Sequence, residues 1–479
     1  MSSHTIGRVF APLRLCVNFF KPSRAEAQGR KGAKTPELEF ALALVVMVVS
    51  ASGCASTSPA AGAAALPLPP ASPVAADDIA ADGAIRFLED KARSDPQDFI
   101  ARNKLVGYYL QKVRDTGSVT YLELAGRAAR ESLESVPANL NVGGLAALTH
   151  VEYASHEFAA AREHAEQWRA YEPDKVAPLL MLFDVQLELG AYEEALSTMR
   201  TVEQRSSSSD GAALDVATRQ ARLAMLSGEN GRAERAYETA LVAALNLEPP
   251  PRETIAWCHW QLGETAFARG DYAAAARHAD DALVVYPGYF RALASQARSL
   301  AANGDLAGAI AGYERVTRIV PDPAFVAALG DCYAAAGRDA DAARQYSLVE
   351  QIGRLSALNG VLYSRQLAVF RADHDRDLEA ANADAAKEYS VRRDVFGADA
   401  LAWTSLKSGR VAEAQAAIRE AMRLGTKDAR MLHHAGEIAL AAGDPAAARK
   451  YFEQALELSP AFDPLAAARI RAKLEALHA

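Results

Sequence analysis

The sequence predicts an all-α solenoid, a row of antiparallel helix pairs stacked side by side, preceded by a disordered leader and linker. Three observations carry that reading. An alanine, a bulky residue four places on and a small or β-branched residue three further recur down the chain, the spacing of one helix face. A glycine turn precedes all but the first of these copies at near-constant distance. Half the residues are apolar and only 7% are aromatic, a balance set by many alanines, which suits helices packed at short range.

The clearest unit runs from Ala429 to Pro460. Leu432, Gly436 and Ala439 line one helix, Gly443 and Asp444 break it, and Ala448, Phe452 and Ala455 line the next, which Pro460 stops. Small residues at Gly436 and Ala448 let the two helices approach, with Phe452 filling the space beside them. This arrangement resembles the tetratricopeptide repeat, a helix-turn-helix unit of about 34 residues. The resemblance implies a right-handed superhelix whose inner helices line a concave groove, and a protein or peptide partner lying in that groove.

The chain opens differently. Basic residues from Arg8 to Lys34 precede the apolar run Phe40 to Ala51, which falls short of the roughly 20 residues needed to span a bilayer and suits a signal-peptide core. The run ends in Ala51, Ser52, Gly53 and Cys54, which resembles a bacterial lipobox. That resemblance implies cleavage before Cys54, a lipid anchor on its thiol and, with Ala55 following, an outer-membrane lipoprotein facing the periplasm. From Ala55 to Ala76 the composition is almost wholly Ala, Pro, Ser, Thr and Gly. Such a stretch cannot bury enough surface to fold and reads as a tether.

The folded part begins near Asp77. Ala81, Ile85, Leu88 and Ala92 form one helical stripe before Pro96, a capping half-unit. A divergent first repeat follows, with Phe99, Leu105 and Tyr109, a long break at Asp115 to Ser118, then Ala125 and Ala129 up to Pro137. Seven second helices then carry the alanine motif at Ala161, Ala195, Ala233, Ala275, Ala309, Ala342 and Ala414, before Ala448. Turn glycines stand at Gly190, Gly228, Gly270, Gly304, Gly337, Gly409 and Gly443, with spacings of 38, 42, 34, 33, 72 and 34. The gap of 72 hides a degenerate repeat with Asp375 at the glycine position and Ala380 at the close contact. Pro249 to Pro251 breaks helical continuity and reads as a joint between two arrays. The last helix opens on Asp463 as cap, with Pro464 behind it. Ala466, Ile470 and Leu474 face inward. The predicted divisions are therefore a signal segment 1–53, a tether 54–76, an array with its cap helix 77–248, a second array 252–462 and a closing helix 463–479.

Register against the repeat pattern places Trp260, Glu264, Phe267, Arg291, Arg298, Arg365, Trp403, Lys407, His433 and Glu437 toward the groove. Trp and Arg often dominate binding energy at interfaces, although aromatics at helical spacing also serve as packing between helices. The runs DVFGADALAWTSLKSGR and LGTKDARMLHHAGEIAL resemble a group of bacterial repeat lipoproteins. Similar lipoproteins serve as assembly factors for secretins, pili or exopolysaccharide exporters.

Several functions are excluded or unsupported. The net charge is −8, and the first 53 residues hold seven Lys or Arg against three Asp or Glu, so the rest carries −12. Nucleic acid, which needs clustered positive charge, is not the expected partner. The sequence has no P-loop, GxSxG, HExxH or dinucleotide glycine fingerprint, so no enzyme activity and no cofactor is expected. The paired Lys and Asn of repeat domains that grip chaperone carboxylate tails are missing at the matching places. Asp373, His374 and Asp375 read as a flexible polar turn, and His433 and His434, being adjacent on a helix, do not make a metal pair. No CxxC exists, and Cys258 and Cys332 read as small buried residues. An enzyme or small-ligand receptor would require an enclosed pocket with convergent polar groups.

Overall fold

The computed structural model describes residues 74–206, 209–358 and 365–478, all within one compact unit. The signal segment, nearly all of the tether and the lipidation candidate Cys54 lie outside the described residues. Among the described residues there are 22 helices and no strand, and no helix is long and apolar enough to cross a membrane.

Helix α1 (Val74–Ser94) leads into ten antiparallel pairs. These are α2 (Phe99–Thr116) with α3 (Thr120–Ser135), α4 (Val142–Ala154) with α5 (Phe158–Tyr171), and α6 (Ala177–Glu188) with α7 (Tyr192–Arg205). Next come α8 (Asp210–Leu226) with α9 (Asn230–Leu245), α10 (Arg252–Ala268) with α11 (Tyr272–Val285), and α12 (Phe290–Ala302) with α13 (Leu306–Ile319). The row continues with α14 (Pro323–Ala335) and α15 (Asp339–Leu358), α16 (Arg365–Asp373) and α17 (Leu378–Val391), and α18 (Val395–Lys407) and α19 (Val411–Ala421). Helices α20 (Ala429–Ala441) and α21 (Pro445–Leu458) form the last pair, and α22 (Ala466–His478) closes the stack. First helices of neighbouring pairs touch directly, α10 with α12 and α18 with α20 among them, so the even-numbered helices form the inner layer.

The local chemistry explains the periodic turns. All seven predicted turn glycines have φ between 70 and 86°, a left-handed conformation that ends a helix at little steric cost to glycine. An aspartate follows three of them, and Asp271, Asp305 and Asp444 each accept a backbone N–H at the start of the next helix. The degenerate repeat uses Asp375 in the left-handed region, at φ 52°, as the sequence suggests. A second left-handed residue, Asp377, lengthens that turn by one residue. The closely packed alanine is consequently Ala381, fully buried, and not the predicted Ala380. In the α4–α5 turn His156, at φ 61°, takes the glycine position.

The second-helix alanines Ala161, Ala195, Ala233, Ala309, Ala414 and Ala448 are all at 0% exposure, which fixes the register. At the α20–α21 contact a Cβ on Gly436 would sit 2.4 Å from the Phe452 ring, so only glycine fits. Across Pro249 to Pro251, where the sequence reading sets a joint, α9 and α10 pack together, with Tyr237 edge-on to Trp257 at 6.0 Å. In α22, capped by Asp463 as the sequence predicts, Ile470 is buried and Leu474 packs against the same cluster, while the buried alanine is Ala467, one place on from the predicted Ala466.

Beyond neighbour stacking, the chain touches itself across about 200 residues. A Cβ on Gly190, in the α6–α7 turn, would lie 2.2 Å from the Arg393 carbonyl oxygen; one on Gly228 would meet the Gly425 oxygen at 2.4 Å; Gly270 faces Pro460 at 3.0 Å. Hydrogen bonds fasten each contact. The Val395 N–H donates to the Tyr192 hydroxyl at 2.9 Å, the Thr426 hydroxyl to the Leu226 carbonyl at 2.5 Å, and the Ala461 N–H to the Tyr272 hydroxyl at 2.7 Å. Gly117 seats on Val320 in the same way. The turn of each of these pairs therefore rests on the loop that follows the fifth pair after it, and successive windings of the solenoid are in direct contact.

Candidate functional site

Side chains from α12 to α20, mostly of the inner layer, line with the segment Ala461 to Pro464 a half-open pocket of about 320 Å³. Its floor is apolar, built from Ala327, Ala328, Val349, Val369, Phe370 and Phe396 among others, and its rim carries Arg298, Arg365, Arg430, Asp331, Asp373, His374, Asp399 and Asp463. The concave face expected to be an open groove is narrowed here because the loop before α22 folds into it.

The rim charges are bound to one another. Arg430 bridges Asp373 at 3.5 Å and Asp463 at 3.4 Å, linking α16, α20 and the closing loop. Asp373 also accepts the Trp403 indole N–H at 2.8 Å. His374 has its Nε2 2.8 Å from Asp331 and its Nδ1 2.8 Å from the Phe370 carbonyl. Both neighbours are acceptors, an arrangement that favours the doubly protonated ring. Burial alone would lower the His374 pKa, but the hydrogen bond and charge of Asp331 raise it above the ordinary value. The stretch read as a flexible polar turn is instead a junction that ties its own repeat to those of α14, α18 and α20. Cys332 borders the pocket, and burial pushes its thiol up to about 12, which keeps it protonated and unreactive at neutral pH.

The predicted groove residues fall into three groups. On α10 and α12, the Trp260 indole donates to Ser295 at 3.1 Å, and Ser295 and Arg298 both donate to Glu264, at 2.6 and 2.7 Å. Arg298 lies 3.8 Å from the Phe267 ring centre and Arg291 4.5 Å from that of Phe290. Arg365 pairs with Asp394 at 2.7 Å and Glu388 at 2.8 Å. Burial works against its charge, and these carboxylates more than offset that, raising its pKa. The third group packs around Trp403, which stacks on His434 at 4.3 Å, with Lys407 5.4 Å from the indole and paired to Asp375.

Arg298 and Arg365 line the pocket. Phe267, Arg291, Trp403 and His433 are 5–7% exposed and act as packing and ties between repeats. Trp260, Glu264 and Glu437 keep part of their surface. Sequence reasoning missed Asp331, Asp373, His374, Arg430 and Asp463 as a set, because they come from three separate repeats and the closing loop, with no common spacing. A signal existed only in the unusual density of charge at inner-helix positions that normally carry small residues.

Glu437 joins the last pair to its cap through Lys473 at 2.6 Å, with His433 at 3.4 Å. Burial alone would raise its pKa, but the bonds from His433 and Lys473 bring it down from 4.5 to about 2. A depressed carboxylate contributes stability above its unfolded pKa and loses it as pH falls through the folded value. That contribution, on the order of 3 kcal/mol, is expected to disappear between about pH 4.5 and 2. Thermal melts of Glu437→Gln should fall below the native chain at pH 7 and converge with it at pH 2. A constant gap across that range would show that the charge plays no part.

A tetratricopeptide-repeat family model matches residues 261–324 and 400–461. No curated protein matches the chain. Similar solved structures include the yeast Tom70 crystal structure, at 11% identity and TM-score 0.30, covering 79% of this chain and 95% of that one. The human IFIT1 dimer with PPP-AAAA is similar at 13% identity and TM-score 0.42, over 80% and 89%. MamA is similar at 15% identity and TM-score 0.24, over 44% and 96%.

Proposed function

We propose that the chain, in which residues 261–324 and 400–461 match a tetratricopeptide-repeat family model, is a non-catalytic scaffold that binds other protein chains on its concave face. The observation that carries the reading is the pocket of about 320 Å³ with an apolar floor and a paired-charge rim. An apolar side chain from a partner segment would fill the floor, while its backbone and charged flanks exchange with the ion pairs at Arg298, Arg365 and Arg430. Partly accessible Trp260 and Glu264 would extend the contact along α10. The proposal includes a lipid anchor on Cys54 and an outer-membrane position facing the periplasm, supported by the apolar run and the tether. A narrower form, an assembly factor for an envelope machine, rests on the likeness of the C-terminal runs to repeat lipoproteins.

The pocket's volume lies at the low end of the roughly 300–1,000 Å³ of small-molecule sites, which favours a small-ligand receptor as the second reading. A photo-crosslinking residue at Gln366, in the pocket, is expected to capture a protein in membranes, whereas one at the exposed Leu196 is not. Equal capture from both positions would sink the concave-face reading, and a small molecule retained at Gln366 would favour the second. Cys54→Ser should move the chain to the soluble fraction; unchanged membrane association would remove the anchor.

A further inference from the structure

Away from the concave pocket, three potential metal ligands converge between α10 and α11. His259 on α10 and His278 and Asp281 on α11 each offer one ligand atom, all within 4.8 Å of one another. The His259 Nδ1 is 3.9 Å from an Asp281 oxygen, and the two imidazole rings are centred 6.1 Å apart. The local sequence produces this geometry. His259 and Gly263 lie four residues apart on one face of α10, and a Cβ on Gly263 would stand 3.3 Å from the His278 Cβ. The absent side chain lets α11 close in at that level. His278 and Asp281, three apart, then project from one face of α11 toward His259.

A second observation points to a ligand. His259 is 6% exposed, yet both its ring nitrogens are buried without a hydrogen-bond partner, and so is the Nδ1 of His278. Buried imidazole nitrogens are ordinarily satisfied, and such orphans call for an explanation.

We propose that His259, His278 and Asp281 bind one divalent first-row transition-metal ion of the zinc type. Two imidazoles and one carboxylate are the donors such ions prefer, whereas calcium or magnesium would call for more oxygen ligands. The Asp281 side chain is 46% exposed, which leaves an entry path and a coordination position for water. The ion clamps α10 to α11 inside one repeat, independently of any partner on the concave face.

The test uses the full chain, stripped with chelator and titrated with Zn²⁺ by calorimetry and with Co²⁺ by absorption. One equivalent is expected, with a Co²⁺ spectrum of mixed nitrogen and oxygen ligation. Asp281→Asn and His278→Gln should each weaken Zn²⁺ binding by at least about tenfold. Both positions keep some solvent exposure, and circular dichroism checks that each variant is folded. Absence of saturable binding, or binding unchanged in both folded variants, would overturn the proposal.

Discussion

Replacing Ala448 by glutamate is expected to unfold the last repeats. Ala448 has no exposed surface and packs in one cluster with Phe452, Ala455 and Ile470. The longer side chain overfills that contact and carries a charge into an apolar site, together costing more than about 4 kcal/mol. The loss will not stay local, because the loop after α21 holds the α10–α11 turn through Tyr272, Ser459 and Ala461. Hydrogen exchange should therefore show reduced protection both in α20 to α22 and around Gly270. Ala446→Glu on the exposed face of the same helix should leave the melt unchanged, which separates packing from charge.

Gly190→Val is expected to separate two windings while leaving each repeat's own core intact. Position 190 has φ 74°, which a β-branched residue resists, and its Cβ would lie 2.2 Å from a backbone oxygen that has no rotamer with which to retreat. Backbone strain and overlap together cost roughly 2–6 kcal/mol. Relief comes by moving the Arg392 to Val395 loop away, which also breaks the ion pair from Arg392 to Glu188 across the windings. Small-angle scattering should report a larger radius of gyration with helix content preserved. An unchanged radius in a folded variant would show that the turn does not hold the windings together.

Helix pairs, turn glycines and buried alanines were legible in the sequence because each is local, set within about 34 residues by spacing and backbone conformation. The register slip at Ala381 escaped because Asp375 marks the turn but nothing marks the extra left-handed Asp377. Arg365 was assigned to the groove by register alone. Its actual partners belong to a chain of ion pairs from Asp394 and Glu388 through Arg392 to Glu188 and Arg222. The second half of that chain lies about two hundred residues upstream, beyond the reach of any periodicity. His259 and His278 escaped for a related reason: ligands on facing helices have no fixed linear spacing, and only the approach at Gly263 brings them together.

Contact between a turn and a loop that follows it by five pairs also bears on how the protein is made. A simple repeat array can fold behind the ribosome, each unit docking on the last as it emerges. Here the turn at Gly190 must wait for Arg393, which at about 5–20 residues per second arrives some 10–40 s later. Through that interval the nascent chain presents an uncovered seam, open to chaperones or to a neighbouring polypeptide on the same message.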